Sequence, residues 1–404
     1  MASYKNRKNI EKILRKSPNI ISNFVIDLIN PLRKKIVKNY IHPKWITIFI
    51  TNYCSARCGH CFYSKELNNK VEELNLENLK KIFLSLKKPL NTLRVTGGEP
   101  FLNKSLEDFV IFIDKHKLSK KISITSHGMI PKMDSRVQNM LNKMTYSHLH
   151  IGISLDGLEE THNAFRKIKN GFSLAIKHLT DFKNFLDLNQ KFSFSTTTSL
   201  IRKISVKSNE KDTLELFDLL KYLKEDVGVQ SVGFDHVRSV ENDVFNVPEN
   251  IISDFGLPPN MSPTSNQKHV REDDVQLSLN EIKLVNSQLK ESGYLSNDYL
   301  TMRRLEIEQE VLEKKDKVID CLAGYVDCVI YPSLDVSVCE STNSFANLKK
   351  FNFNLPELLN SNLAKDRRVL TSKCSCTHPC HLSDSMAYDS KFLKKYFSSD
   401  TQND

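Results

Sequence analysis

From Trp45 to about Asp235, short runs of β-branched residues alternate with stretches whose apolar positions recur every three or four residues. The runs at 46–51, 92–95, 122–125, 149–154, 191–198 and 231–235 read as six strands. Between the first two, Leu76, Leu79, Ile82, Phe83 and Leu86 share one face of a helix predicted over 76–88. Phe109, Val110, Phe112 and Ile113 mark another at 106–115, and further helices are predicted at 137–143, 172–186 and 213–223. Strands separated in this way by helices need right-handed crossovers, so the fold class is α/β with a parallel sheet. Chemistry in such sheets collects at the carboxyl ends of the strands.

The flanks read differently. Residues 1–43 carry Ile13-Leu14, Ile20-Ile21, Phe24-Val25, Leu28-Ile29 and Leu32, then Arg33-Lys34-Lys35 and Lys38, the pattern of one or two amphipathic helices. A helix packed on the outside of the main domain is the favoured expectation, ahead of peripheral contact with a membrane or a partner. The leader is too short and too poor in strand signals for a winged-helix recognition domain. Residues 239–278 are polar and broken by Pro248, Pro258, Pro259 and Pro263, as expected of a linker or lid-like loop, and helices resume at 279–289 and 299–313. The expected plan is a leader (1–43), a core (44–238), a linker and helical region (239–318), a cysteine-rich extension (319–385) and a tail (386–404).

Composition narrows the chemistry. The 404 residues suffice for one large domain and a smaller second one. Nine cysteines occur without a signal-peptide pattern and without a run of 18 apolar residues, so a reducing, cytoplasmic setting with metal-bound thiols is expected rather than a disulfide framework. The formal net charge is +10, but the lysines are spread widely, and no nucleic-acid partner is expected from it.

Three thiols stand in Cys54-Ser55-Ala56-Arg57-Cys58-Gly59-His60-Cys61, on a loop directly after the first strand. Three is one short of a closed four-ligand shell. A cluster held this way keeps one iron open to an outside ligand; a structural zinc site is the competing reading. The spacing, with His60 before the third thiol and Phe62-Tyr63 after it, resembles the cluster loop of the radical S-adenosylmethionine (SAM) enzymes. Three further segments are similar to motifs of that family. Thr96-Gly97-Gly98-Glu99-Pro100 follows the second strand and resembles the motif that contacts the SAM amino group. Ser154-Leu155-Asp156-Gly157 closes the fourth strand with Arg166 beyond it; the resemblance implies that Ser154 contacts SAM and Arg166 pairs with its carboxylate. Asp156 belongs to the same motif. Thr125-Ser126-His127-Gly128 stands where relatives often have Thr-Asn-Gly, and His127 departs from that pattern. The run Ser195-Thr196-Thr197-Thr198 reaches the ribose through alternate residues, represented here by Thr196, or is ordinary strand filling.

The resemblance implies a partial (β/α)6 TIM-like barrel and a [4Fe-4S] cluster on Cys54, Cys58 and Cys61 with SAM at the open iron. It implies reductive cleavage of SAM to methionine and a 5′-deoxyadenosyl radical, which abstracts hydrogen from an unactivated carbon. A reducing partner such as flavodoxin or ferredoxin is then required. Near the carboxyl end, Cys321 and Cys339 flank a predicted hairpin with a Pro332-Ser333-Leu334-Asp335 turn, and Cys374, Cys376 and Cys380 follow. This layout resembles the abbreviated SPASM ("Twitch") extension, which implies a second, auxiliary [4Fe-4S] cluster on four thiols. Two vacancies are left for three later thiols, with Cys376 and Cys380 preferred and Cys374 competing. Cys328 is expected to be a buried structural thiol. Four thiols around a hairpin also describe a zinc ribbon, so a non-catalytic zinc- or cluster-binding protein is the rival of another class. For substrate, a peptide or protein side chain is placed ahead of a sugar, aminoglycoside or lipid-linked small molecule.

Overall fold

A computed structural model describes residues 19–69, 74–189, 191–206, 214–237, 244–253, 277–294 and 298–398. Most of the expected linker at 239–278, together with Ile13-Leu14 of the leader, lies outside these residues. The six expected strands are β1 (Trp45–Thr51), β2 (Leu90–Gly97), β3 (Ser119–Ser126), β4 (His148–Ser154), β5 (Phe192–Leu200) and β6 (Val232–His236). They pair in sequence order, all parallel. The sheet and its crossover helices have the arrangement of a partial TIM barrel, as expected.

Alternation along each strand separates two layers. Ile46, Ile48 and Ile50 of β1, Leu93 and Val95 of β2 and Ile122 and Ile124 of β3 turn outward and are fully buried in one apolar cluster. The helices α1 (Asn19–Asn39), α2 (Leu76–Leu84), α3 (Leu106–Lys115) and α4 (Met133–Lys143) precede or connect these strands. Leu79, Ile82 and Phe83 of α2 and Phe109 of α3 enter the same cluster, with the Phe83 and Phe109 rings 5.2 Å apart. α2 begins where the Asn75 side chain accepts from the Asn78 amide, capping a first turn that would otherwise leave that donor unpaired.

The other face of the sheet is polar. In register, Thr47, Arg94, Ser123, His150 and Ser193 cross five strands as one row. Full barrels fill this space with layers of branched apolar side chains. Here hydroxyls, imidazoles and a guanidinium face inward, and Ser193 bridges His148 and His150 at 2.7 and 2.8 Å.

The cysteine-rich extension does not stand apart from the barrel. Beyond α5 (Glu159–Arg166), α6 (Gly171–Leu188), α7 (Glu215–Tyr222), the short strand β7 (Val244–Phe245), α8 (Leu279–Glu291) and α9 (Tyr299–Lys314), the chain returns as β8 (Asp327–Ile330). β8 pairs parallel with β1, with Ile46 opposite Cys328 and Ile48 opposite Ile330. β9 (Asp335–Ser337) and β10 (Ala346–Asn347) continue the sheet antiparallel, giving nine strands. An open barrel leaves β1 with an unpaired edge, and β8 covers it. Cys328 is 1% exposed and lies in the main core, as expected of a structural thiol.

Two helices follow, α10 (Leu355–Asn360) and α11 (Asn362–Thr371), divided at Ser361, whose side chain caps the second. They are followed by β11 (Ser375–Cys376), which pairs with β7, then α12 (Pro379–Met386) and α13 (Ser390–Ser398). α12 is locked to the barrel by Arg94, whose guanidinium grips Asp384 with two bonds of 2.8 and 2.6 Å. α1 packs outside the main domain, where Asn30 donates to the Tyr388 carbonyl at 2.7 Å and to Ser390 Oγ at 2.9 Å.

Replacing Asp384 with Asn should leave the half-buried Arg94 guanidinium without its paired carboxylate. The expected cost is about 3 kcal/mol, the low end for a broken buried pair because Arg94 still reaches the cavity. Asp320→Asn, at the half-exposed Lys34–Asp320 pair, should cost under about 1 kcal/mol. Urea midpoints of the two variants provide the comparison.

Candidate active site

The polar face of the sheet opens into a cavity of about 300 Å³ at the carboxyl ends of the strands. Cys54, Cys58 and Cys61 all line it, and so do Gly97, Gly98, His127, Ser154 and Arg166. Segments spread over more than a hundred residues of sequence therefore meet at one place.

The cysteine loop is held from two sides. Its outer turn hangs on the end of α5, where the Arg57 and Gly59 amides donate to the carbonyls of Arg166 and Phe165, both at 3.1 Å. Its start is held by the end of β2, where the Gly98 and Glu99 amides donate to the carbonyls of Thr51 and Tyr53 at 2.8 and 2.7 Å. A Cβ on Gly98 would stand 2.1 Å from the Tyr53 oxygen, so only glycine admits this approach.

Glu99 is fully buried and already engaged. Its carboxylate accepts from Ser126 Oγ at 2.9 Å, from the Phe101 amide at 3.1 Å and from the His127 amide at 2.9 Å. It thus braces the loop after β3, while Pro100 opens a tight 3₁₀ turn behind it. The His127 ring accepts the Met129 amide through Nδ1 at 2.9 Å, so Nε2 carries the proton and faces Ser55 Oγ at 3.1 Å. Burial lowers the His127 pKa, which keeps this tautomer neutral.

Asp156 forms the second brace. Burial would push its pKa up, but the Arg166 guanidinium at 2.6 Å and His60 at 3.6 Å hold it well below the usual carboxylate range. The same guanidinium reaches Cys58 Sγ at 3.5 Å. Arg166 thus spans a carboxylate and one of the three thiols on the cavity wall. His60 lines the cavity with Nε2 against Ser199 Oγ at 3.1 Å, and burial lowers its pKa.

Thr196 does not reach the cavity. Its side chain is fully buried and its hydroxyl has no hydrogen-bond partner, whereas Thr197 and Ser199 line the wall. In a strand, shifting by one residue changes the face, and the face of Thr196 is signalled by Phe192 and Phe194, buried at the same parity. Sequence reasoning also missed Arg94, Asp235, His236 and Glu340, which line the same cavity. Arg94 and Asp235 could have been found, because each sits at the inward parity of its strand.

The later thiols divide. Cys321, Cys374 and Cys376 line a second, smaller cavity with His381, and the charge of Cys376 acts on Cys321, Cys339 and Cys374. Cys380 lines the main cavity, close enough to Arg94 and Arg304 to act on both. His381 Nδ1 meets Asp327 at 2.6 Å beside the thiol group.

Residues 48–235 match the family model described as Radical SAM superfamily. This part of the chain belongs to the radical SAM superfamily. The superfamily's members are enzymes. Among curated proteins, GTP 3′,8-cyclase of Helicobacter pylori (strain HPAG1) is 27% identical over 184 residues, 45% of this chain and 52% of the relative. Fe-coproporphyrin III synthase of Methanosarcina barkeri is 26% identical over 175 residues, 43% of this chain and 39% of the relative. The chain thus spans about half the length or less of these relatives. Among solved structures, SuiB of Streptococcus suis bound to precursor peptide SuiA aligns with a TM-score of 0.52 at 16% identity, covering 81% of this chain and 67% of SuiB. Native anSMEcpe with bound AdoMet and Cp18Cys peptide gives 0.54 at 17%, covering 80% and 81%. At these identities the likeness is one of fold, and at about four fifths of the chain it extends past the radical SAM domain.

Burial raises the Cys54 thiol to about 11 and the Cys61 thiol to about 12, and raises Cys58 against the pull of Arg166. In metal-free protein these thiols should be protonated at neutral pH. Their alkylation by iodoacetamide should be slow at pH 8 and accelerate about tenfold per pH unit up to pH 10. Peptide mass spectrometry reads this site by site; rates at Cys54 and Cys61 already at a plateau by pH 9 would contradict the assigned environment.

Proposed function

We propose that this chain cleaves SAM reductively and directs the resulting 5′-deoxyadenosyl radical at an unactivated carbon of a peptide or protein side chain. The observation that carries the reading is the convergence of Cys54, Cys58 and Cys61 with Gly97, Gly98, Ser154 and Arg166 on one cavity. Three thiols are a soft donor set suited to an iron–sulfur cluster, and one short of closing it. Cys54, Cys58 and Cys61 would hold a [4Fe-4S] cluster, which would supply the electron for reductive cleavage of SAM.

The chain's own residues bind, orient and exclude water. Arg166 next to Cys58 favours the thiolate that a cluster needs and offers a cation to a ligand carboxylate. Ser154, Thr197 and Ser199 supply hydroxyls on the adjoining wall. Glu99 and Asp156, both fully buried, are braces rather than direct contacts. They set the loops that touch the ligand, through His127 and Arg166 respectively. The cavity falls near the lower end of the roughly 300–1,000 Å³ typical of ligand sites. Glu340 and Asp235 are carboxylates on its wall, and Glu340, 5% exposed and 3.2 Å from His378 Nε2, is placed to take a proton from a polar substrate group.

An auxiliary [4Fe-4S] cluster is assigned to the later thiols, with Cys321, Cys339 and Cys376 as its common members. Cys374 fits as the fourth ligand through its contact with Cys376, and Cys380 is then left on the main cavity wall. A flavodoxin or ferredoxin is the expected electron donor. The peptide reading takes support from the peptide-bound neighbours SuiB and anSMEcpe. A small-molecule substrate takes its support from the relatives named GTP 3′,8-cyclase.

Anaerobic reconstitution should give about eight irons per chain and, with dithionite and SAM, 5′-deoxyadenosine. Zinc without SAM cleavage would overturn the reading. Cys58→Ala should reduce 5′-deoxyadenosine to background, because two thiols do not hold the cluster. Cys339→Ala should spare SAM cleavage and lose substrate turnover. Cys374→Ala should lower iron to about four while Cys380→Ala keeps about eight; the opposite pair of results would exchange the two thiols.

A further inference from the structure

Helix α1 is built inside out. The face it turns toward the protein carries Ser22, Ile26, Asn30 and Val37, all buried. Its outward face carries Ile21, Phe24, Leu28, Leu32 and Ile36, each more than half exposed and spaced three or four residues apart. Ile29 and Tyr40 widen the stripe at 41% and 78% exposure. A helix that merely packs on a domain shows the reverse distribution. Seven of the fifteen large apolar side chains exposed among the described residues belong to this helix and the residue after it.

The surroundings are basic. α1 contains Arg33, Lys34, Lys35 and Lys38 against one acid, Asp27, which is paired with Lys394 at 2.6 Å. The neighbouring α13 adds Lys391, Lys394 and Lys395 and no acid. The two helices, 30 residues together, thus carry +6 of the chain's formal +10.

Charge discriminates among the possible occupants of the stripe. A second copy would bring the same +6 against itself. Residues 1–18 contain Lys5, Arg7, Lys8, Lys12, Arg15 and Lys16 against Glu11, so they too would place positive charge on positive charge. An anionic bilayer surface satisfies both halves of the pattern, because it takes apolar side chains into its acyl boundary and meets lysines with headgroup phosphates. No described helix is long and apolar enough to cross a membrane, so the mode is interfacial.

We propose that α1, with α13 beside it, is a docking surface for anionic lipid bilayers, the helix lying in the plane of the interface. The length of α1, roughly 30 Å at 1.5 Å per residue, gives a continuous contact. This inference is independent of the substrate assignment, since the helix contributes nothing to the cavity lining.

The test uses the full-length, cluster-reconstituted chain and vesicles of phosphatidylcholine with or without about an equal part of phosphatidylglycerol. Co-sedimentation should be strong with the anionic vesicles at about 0.1 M salt, weak with phosphatidylcholine alone, and reduced at about 1 M salt, where the screening length falls to ~3 Å. The double substitution Leu28→Glu with Leu32→Glu should weaken binding about tenfold or more. Both positions are exposed, so 5′-deoxyadenosine formation should be unchanged and reports a folded chain. Absence of binding to anionic vesicles would overturn the proposal. So would binding that survives the double substitution, which would place the contact elsewhere. A chain that sediments as a dimer, and becomes a monomer on the same substitution, would assign the stripe to a second copy instead.

Discussion

The mouth of the barrel depends on how closely the end of β2 approaches the end of β1. Backbone meets backbone there, with the Gly98 amide on the Thr51 carbonyl and the Glu99 amide on that of Tyr53. No side chain fits between them. That contact fixes where the cysteine loop leaves the sheet. It also delivers Glu99 into the interior, where one carboxylate fixes the loop after β3 through two donors, Ser126 Oγ and the His127 amide, and its own turn through the Phe101 amide. Moving the glycine pair outward would displace the start of the cysteine loop and, through Glu99, the loop after β3.

A second brace works from the opposite side. Asp156 draws Arg166 inward, and the backbone at Arg166 in turn holds the amide of Arg57. The cysteine loop is therefore clamped between β2 and α5, each anchored by a buried acid. Preorganisation of this kind keeps the thiols on one wall, so that binding a metal group requires little rearrangement of the chain. Both acids have the geometry of supports, Glu99 under the loop after β3 and Asp156 under Arg166.

Much of this was legible in the sequence. The outward rows of Ile, Leu and Val announce their strands, because one face of each is pressed against helices. The cysteine loop and Gly-Gly-Glu-Pro were legible because their spacings are local. The misreading of Thr196 came from parity: Ser195 through Ser199 are all hydroxyl residues, and the deciding signal lies just outside that run, where Phe192, Phe194 and Leu200 share the parity of Thr196 and are buried. The arrangement of β8 beside β1 was illegible for another reason. It joins Ile46 to Cys328 across some 280 residues, and no periodicity encodes a partner at that distance. The grouping of the later thiols was hidden likewise, since it depends on β11 pairing with β7. The outward stripe of α1 was visible as amphipathicity, but only packing shows which side faces the protein.

The pairing of β8 with β1 also bears on the order of assembly during synthesis. At about 5–20 residues per second, residue 330 emerges roughly 15–55 s after residue 50. Throughout that interval the first strand lacks one neighbour, and the three thiols beyond it hang from an edge that nothing covers. The clamp at Arg166 forms early, whereas the strand bearing the loop gains its second neighbour only when the last quarter of the chain arrives. The later thiols, from Cys321 to Cys380, can come together only after that part of the chain has emerged, whereas both clamps on the cysteine loop lie within its first half.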